Sequence, residues 1–397
     1  MGLVILAIAR FKEDKKEAMS KNFANLAESL AEMGNDIIAV SPTGFVTNQP
    51  IEQFTFRKTS RYESMSEGIS NLIQLCKLLN KLLAVKQQVK VNIHIATPIE
   101  LLLIFLFLDS KYRAKTTISI WQSYLSYQEF KDNYKFFIKN WVDYAHLLVF
   151  NSFISASIYT RFLRYFHQVL VHNQYQQQQL VRCSKLPISY IQNGVFSKRF
   201  ATVKRQASHE ELTLLYIGHA KPSKGVDLLI EIARKLKDRK QVDFQLTLCL
   251  SGFGNGELIE KLVSEQGLKD YVKFKTSIDI VEEMTSADLF ILPLRTCVGT
   301  SLTPNLIIEA ISCGLPIAIP EFEQLEDVIK FGHNAIELDL NNLDFCAESI
   351  EALLEENQLT HLSGYQAKQF EQKYTLEGFV SGYARKLDLD GRHHGED

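Results

Sequence analysis

The chain has 397 residues, 46% hydrophobic and 23% charged, a globular composition that excludes a disordered chain, a collagen or a small disulfide scaffold. That length predicts two or three domains, because single cores rarely grow past ~250–300 residues. Lys plus Arg is 44 against 46 Asp plus Glu, a net charge of −2, which argues against a general nucleic-acid binder.

Short apolar runs alternate with helix-period stretches along the chain. Leu3–Ala9 predicts a strand, followed by a helix on Met19, Phe23, Leu26 and Leu30 that stops at Gly34. Further strands are predicted at Asp36–Val40, Val91–Ala96, Thr116–Trp121, His146–Phe150, Gln168–Val171 and Ile188–Ile191. Continuous apolar runs of this kind suit strands buried on both faces of a parallel sheet. Residues 197–211 are polar, highly charged and aperiodic, and read as an interdomain linker. The cycle then restarts. Strands are predicted at Leu212–Ile217, Phe244–Leu250, Tyr271–Phe274, Leu289–Leu292 and Pro316–Ile319, with helices at Asp227–Leu236 and Gly256–Gln266 and mostly helix over Asp344–Leu387. The expected fold class is α/β: two Rossmann-like domains, 1–200 and 201–370, with 371–397 as a final helix and tail. Such a pair places a cleft at the carboxyl ends of the strands.

Three stretches of the second half carry chemistry. Gly218–Gly225 (GHAKPSKG) runs from a strand to an amphipathic helix, so backbone N–H groups and a helix N-terminus face an anion, with Lys224 as a mobile positive charge. An ordinary βα loop with a surface lysine is the plainer reading, and a Walker loop is absent. Ser251–Gly256 (SGFGNG) does not follow the G-x-G-x-x-G dinucleotide fingerprint and reads as a tight turn, which disfavours an NAD-dependent oxidoreductase. Leu292–Pro320 predicts a helix with Thr303 as N-cap and Pro304 in the first turn. Glu309 then lies one turn into an otherwise apolar helix. A carboxylate there must be paired or bind something, such as a ribose diol; a satisfied structural glutamate is the alternative.

Taken together, Gly218…Lys224-Gly225-Val226-Asp227, Gly252-x-Gly254, Ser286–Pro293 and Pro304-Asn305…Glu309-Ala310…Cys313–Pro316 resemble the retaining glycosyltransferases of family 4, which have the GT-B fold. Ile191-Gln192-Asn193-Gly194-Val195 resembles the I-P-N-G-V element that closes the first domain of that family. The likeness is specific over residues 188–330 and weaker before them. It implies transfer of a hexose-type sugar from a nucleotide diphosphate sugar, UDP-linked by expectation, with retained anomeric configuration, no metal and no cofactor. By the same likeness the donor site comprises Gly218, His219, Lys224, Gly252, Ser301, Thr303, Asn305 and Glu309. Lys224 would contact the diphosphate and Glu309 the ribose. The final helix would cross back to the first domain.

The sequence also departs from the family. His219 replaces the usual arginine, and Ser301 replaces the first glutamate of the E-x7-E pair. Lys12–Lys16 stand where a Gly-Gly loop is usual, and Trp121-Gln122 replace a histidine. Gln122 is carried as a catalytic candidate at that place. His94, which follows a strand and precedes Thr97-Pro98, is another, set against the commoner structural histidine. These departures keep open a non-catalytic homologue that binds nucleotide or glycan as an accessory protein.

The near-neutral charge hides an asymmetry. Residues 1–200 hold 24 basic and 14 acidic side chains, a net of +10, and 28 of the 42 aromatics. Phe130, Tyr134, Phe137, Ile138 and Trp141 recur at helical spacing beside Lys131, Lys135 and Lys139. That stripe alone reads first as a core helix with snorkelling lysines. The charge of the half tips the hypothesis towards an anionic membrane surface and a glycan or lipid-linked acceptor, in a biosynthetic pathway for polysaccharide or glycolipid. No signal peptide or membrane span is expected, since the longest apolar run, Leu101–Leu108, falls well short of ~20 residues. The six cysteines lack C-x-x-C pairing and read as buried reduced thiols, and His393-His394 as a solvated pair. A cytoplasmic protein, peripheral to the inner face of the cell membrane, is the expected location.

Overall fold

The computed structural model of the protein describes residues 2–11, 18–56, 65–86, 88–122, 127–136, 148, 156–184, 186–195, 211–276, 278–297, 304–354 and 358–389. Of the readings above, those on Lys12–Lys16, on Phe137, Ile138, Lys139 and Trp141, on His146–Phe150 apart from Leu148, on 197–210, on Ser301 and Thr303, and on the tail beyond Leu389 lie outside these residues.

The first sheet contains β1 (Leu3–Ile8), β2 (Asp36–Ser41), β3 (Glu52–Thr55), β4 (Lys90–Ile95), β5 (Thr116–Ile120), β6 (Gln168–Val171) and β7 (Ile188–Tyr190). All are parallel, in the order β3-β2-β1-β4-β5-β6-β7. Around them lie α1 (Ala18–Glu32), α2 (Met65–Val85), α3 (Pro98–Phe107), α4 (Ser110–Arg113), α5 (Tyr127–Asn133), α6 (Ala156–Leu163) and α7 (Gln174–Ser184). The apolar strands serve two cores at once. On β1, Ile5 and Ala7 face the layer of Leu72, Leu75 and Leu101, while Val4, Leu6 and Ile8 face that of Phe23, Leu26 and Leu30. This is the period of two expected when both faces are covered.

The second sheet contains β8 (Leu212–Ala220), β9 (Phe244–Gly254), β10 (Val272–Lys275), β11 (Leu289–Ile291), β12 (Ile317–Ile319) and β13 (Ala335–Glu337), again all parallel, in the order β10-β9-β8-β11-β12-β13. Its helices are α8 (Val226–Arg239), α9 (Gly256–Glu265), α10 (Ile280–Ser286), α11 (Asn305–Ser312), α12 (Leu343–Glu351) and α13 (Gln358–Lys373). The chain order reverses between β1 and β4 in one sheet and between β8 and β11 in the other. Those two places are topological switch points, where loops diverge and leave a crevice.

After α13 the chain returns to the first sheet as α14 (Leu376–Lys386). Val195 holds the crossing: its amide donates to the Tyr374 carbonyl at 3.0 Å, and its own carbonyl accepts from the Leu376 amide at 2.8 Å. The Thr375 hydroxyl caps the new helix by accepting from the Gly378 amide at 3.1 Å. Leu376, Phe379, Val380, Tyr383 and Ala384 then join the core layer of Val4, Leu6 and Phe23. The halves also meet where Asn173 donates to the Gln324 carbonyl at 3.0 Å and the Gln174 amide to Asp327 Oδ2 at 2.6 Å.

The five cysteines whose side chains are described, Cys76, Cys249, Cys297, Cys313 and Cys346, are free and buried. Among the described residues no helix is long and apolar enough to cross a membrane. Phe130 is buried, the helix around it gives way to a 3₁₀ turn at Tyr134–Phe136, and Tyr134 is exposed, so of the described part of the stripe Phe130 is core and Tyr134 is surface.

Gly194 makes the crossing tight. A Cβ there would meet the Thr375 carbonyl oxygen at 2.2 Å. Gly194→Ala is expected to destabilise the protein by ~1–3 kcal/mol, the cost of overpacking. A thermal melt checks it, and an unchanged midpoint contradicts it.

Candidate functional site

The site forms around the switch point of the second sheet. Strand β8 runs on to Ala220, two residues past Gly218, because it pairs with an equally extended β9 through a bulge between Gly218 and Ala220. Gly218 and His219 are thus strand residues, and the loop proper is the 3₁₀ turn Pro222–Lys224 closed by Gly225. Gly252 likewise sits on β9 rather than in a tight turn, and the turn comes at Gly254 and Asn255. Two glycines let the backbones close up. Gly225 has φ +66°, and a Cβ on it would lie 1.9 Å from the Pro293 carbonyl oxygen; Gly254 has φ +101°, with the Ala220 carbonyl oxygen at 2.2 Å.

The loops after β8 and β11 are then clamped together. Arg295 forms a two-pronged pair with Asp227, with its second bond at 2.5 Å, and donates to the Pro222 carbonyl at 2.8 Å. The Arg295 amide donates to the Ser223 carbonyl at 3.0 Å. This fork fixes the turn that carries Lys224. No ion pair joins Lys224 to another described residue. Burial lowers its ammonium to about 8, and the like charge of Lys221 pushes the same way. A desolvated cation on a rigid loop beside a helix N-terminus suits an anionic ligand.

Helix α11 begins at Asn305, with Pro304 in the cap position (φ −61°, ψ 132°). The expected cap, Thr303, is displaced because Pro304 keeps an extended backbone and so stands outside the helix. The Glu309 side chain is 2% exposed, and its partner comes from the opposite domain: Lys21 Nζ of α1 lies 2.6 Å from Glu309 Oε1. Next to it, three buried amides from three elements meet. Asn193 Nδ2 lies 3.0 Å from Asn305 Oδ1, and Asn22 Nδ2 lies 3.0 Å from Asn193 Oδ1 and 3.5 Å from Asn305 Oδ1. The cleft floor is therefore built by α1, the Ile191–Val195 segment and α11 together.

His219 turns to Ser251, with its Nδ1 against the Ser251 hydroxyl. The catalytic expectation for His94 does not fit its geometry. The ring is 1% exposed, packs between Trp121, Tyr383 and Phe23, and is held down to about 3 by burial, with His172 adding to the effect. Trp121 Nε1–H donates to His94 Nδ1 at 2.9 Å. An indole nitrogen only donates, so this bond occupies the one ring lone pair, and none remains to take a proton from an acceptor. Gln122 stays half-buried at the end of β5, its carbonyl accepting from Gln176 Nε2 at 2.7 Å.

Sequence reasoning missed Lys21, Asn22 and the Arg295–Asp227 fork. It also missed the buried pair His172 and Tyr383, whose ring nitrogen and hydroxyl lie 3.0 Å apart beneath the crossing helix. Polar residues in the first turn of an apolar helix were the only signal for Lys21 and Asn22.

Residues 197–370 match the family described as glycosyl transferases group 1. The second domain is thus similar to the glycosyl transferases group 1 over most of its length. Over 158 residues the chain is 28% identical to the amylovoran biosynthesis glycosyltransferase AmsK of Erwinia amylovora, a match covering 38% of each protein. Over 208 residues it is 24% identical to a D-inositol 3-phosphate glycosyltransferase of Geodermatophilus obscurus, covering 48% of this chain and 45% of that one. The matches thus span less than half the length of these curated relatives. The whole chain superimposes on sucrose-phosphate synthase from Thermosynechococcus elongatus with a TM-score of 0.74 at 15% identity, covering 97% of this chain and 98% of that one. Anabaena HepE in complex with UDP-glucose gives 0.68 at 14% identity, covering 97% and 99%. The fold is GT-B, as the sequence motifs implied.

The Lys224 shift has a pH signature. The amine is charged below about 8 and loses its charge above it, so anion binding weakens as pH rises. Calorimetric titration with UDP as the anionic probe is expected to show affinity about tenfold lower at pH 9 than at pH 7.5. Lys224→Gln is expected to bind weakly and without that slope. The same slope in the variant contradicts the assignment.

Proposed function

We propose that the protein transfers a hexose-type sugar from a UDP-sugar, with retention and without a metal, to a glycan or lipid-linked acceptor. One observation carries the reading. Within the group 1 match, a desolvated lysine and a buried carboxylate follow the two strands that flank the switch point, Lys224 in the turn after β8 and Glu309 on α11 after β11. This combination suits a nucleotide diphosphate: the carboxylate accepts the ribose hydroxyls, while the lysine and the α8 N-terminus face the phosphates. The HepE complex, which holds UDP-glucose in a chain of the same fold, supports the choice of donor.

In the transfer, the bond between the sugar anomeric carbon and the diphosphate oxygen breaks, and the acceptor oxygen bonds to that carbon on the same face. The acceptor proton passes to the departing diphosphate. Negative charge grows on that diphosphate, so the lysine and the loop amides act where the transition state needs them. Asn305, Gly218, His219, Gly252, Ser301 and Thr303 complete the donor site in this reading, and Gln122 faces the acceptor side. A role in polysaccharide or glycolipid assembly accords with the name of the AmsK relative.

The first domain offers a surface for a membrane-bound acceptor. Leu106 and Phe107 of α3, Ile158 of α6 and Tyr165 are each exposed. Phe105 packs on Phe162 and Tyr165, and the Arg113 guanidinium lies 4.3 Å over its ring. Arg161, in the last turn of α6, and Arg164, just after it, are exposed. Exposed apolar side chains with arginines on the same elements suit an anionic bilayer surface.

Purified protein incubated with a panel of radiolabelled sugar nucleotides is expected to bind one of them saturably and to hydrolyse it slowly without acceptor. Saturable binding with no turnover under any condition would favour the accessory-protein alternative. Neither binding nor turnover would overturn the proposal.

A further inference from the structure

Lys21 pairs with a carboxylate that, on the reading above, the donor needs for itself. Its ammonium reaches across the cleft from α1 to Glu309 at 2.6 Å, with its own side chain 28% exposed and that of Glu309 at 2%. The reach is not a chance of surface contact. The next residue, Asn22, is buried and meets Asn193 and the first residue of α11, Asn305. The turn that carries Lys21 is thereby pinned to the helix that carries Glu309.

A nucleoside diphosphate would bring at least two negative charges into this cleft. Two other cations of the second domain are committed elsewhere. Arg295 is forked onto Asp227, and Lys275 sits 2.6 Å from Glu283. That leaves the turn after β8, where Lys224 is half-buried and Lys221 is exposed. The place where the family carries an arginine holds His219, turned to Ser251. The ribose that would displace Lys21 from Glu309 carries its diphosphate on C5′, two carbons from the 3′-hydroxyl, within the sweep of a flexible lysine stem. A carboxylate accepting ribose hydroxyls no longer needs the ammonium, and the arriving phosphates do.

We infer that Lys21 is the second diphosphate-binding cation of this site, held on Glu309 in the empty protein and transferred to the phosphates when the ribose takes its place. The inference rests on the nucleotide-sugar reading of the cleft. It makes the donor site a joint product of both domains, since one of its two cations belongs to the first.

Calorimetric titration of the full chain with UDP and, separately, with uridine tests this. Uridine has the ribose and no phosphate. Lys21→Ala is expected to weaken UDP binding about 10- to 100-fold, the range for a charge-assisted hydrogen bond, and to leave uridine binding unchanged or tighter. Lys21→Arg, which keeps the charge, restores UDP binding. The alanine variant strands a buried carboxylate, so the comparison is repeated in a Glu309→Gln background, where that cost is absent. There the loss of Lys21 still weakens UDP selectively. If Lys21 only plugs the empty site, its removal tightens both ligands; if it is only structural, both weaken equally. Either result, or no change, overturns the inference. If the unmodified protein binds no UDP at all, the nucleotide-sugar reading itself falls.

Discussion

A carboxylate placed inside an apolar helix has to find a positive or hydrogen-bonding partner, and in this protein that requirement joins the two domains. Glu309 lies within Leu306, Ile307, Ile308, Ala310 and Ile311, with no cation on its own helix to answer it. Lys21 answers from the first domain. An unpaired charge at that depth costs several kcal/mol, so the contact specifies how α1 lies against α11. The amides of Asn22, Asn193 and Asn305 follow the same logic: Asn22 meets Asn193 within the first domain, and both meet Asn305 across the boundary. A ligand that enters here must offer groups as good as those it displaces, and ribose hydroxyls and phosphate oxygens do so.

The glycines of the motifs serve the backbone first. Gly225 lets one loop rest on the Pro293 carbonyl, Gly254 lets another rest on that of Ala220, and Gly194 lets the crossing strand rest on that of Thr375. In each case a methyl group would overlap a backbone oxygen. These close approaches bring the β8 and β11 loops together, and the Arg295–Asp227 fork keeps them there. Lys224 is desolvated as a consequence of that packing, and its lowered proton affinity is the electrostatic trace of it.

The strands were legible where they are buried on both faces. Leu3–Ile8, Gln168–Val171 and Phe244–Leu250 leave little alternative to a parallel sheet, and the order of the motifs pointed to the GT-B fold. The short strands β3 and β13 were not foreseen, because Glu-Gln-Phe-Thr and Ala-Ile-Glu sit at sheet edges, largely uncovered, and lack an apolar run. The extension of β8 through Gly218 was hidden by the glycine, which reads as a strand end and here marks a bulge. Glu309 could be singled out because a charge among apolar neighbours is conspicuous. Its partner could not, since Lys21 is 288 residues away and looks like any surface lysine of an amphipathic helix. His94 misled for the opposite reason: a histidine at a strand end resembles a cleft residue until the crossing helix covers it.

The opposite charges of the two halves also gain a physical meaning. The basic half contributes an ammonium to the second domain's carboxylate and lays the Arg113 guanidinium over the Phe105 ring, while the acidic half carries Lys224 on the turn after β8. The measurement that bears most directly on this account is a crystal structure of the protein with UDP bound. The account predicts the ribose hydroxyls on Glu309, the diphosphate between Lys224 and Lys21, and the Lys21–Glu309 contact opened. UDP bound elsewhere, or bound here with Lys21 still on Glu309, would contradict it.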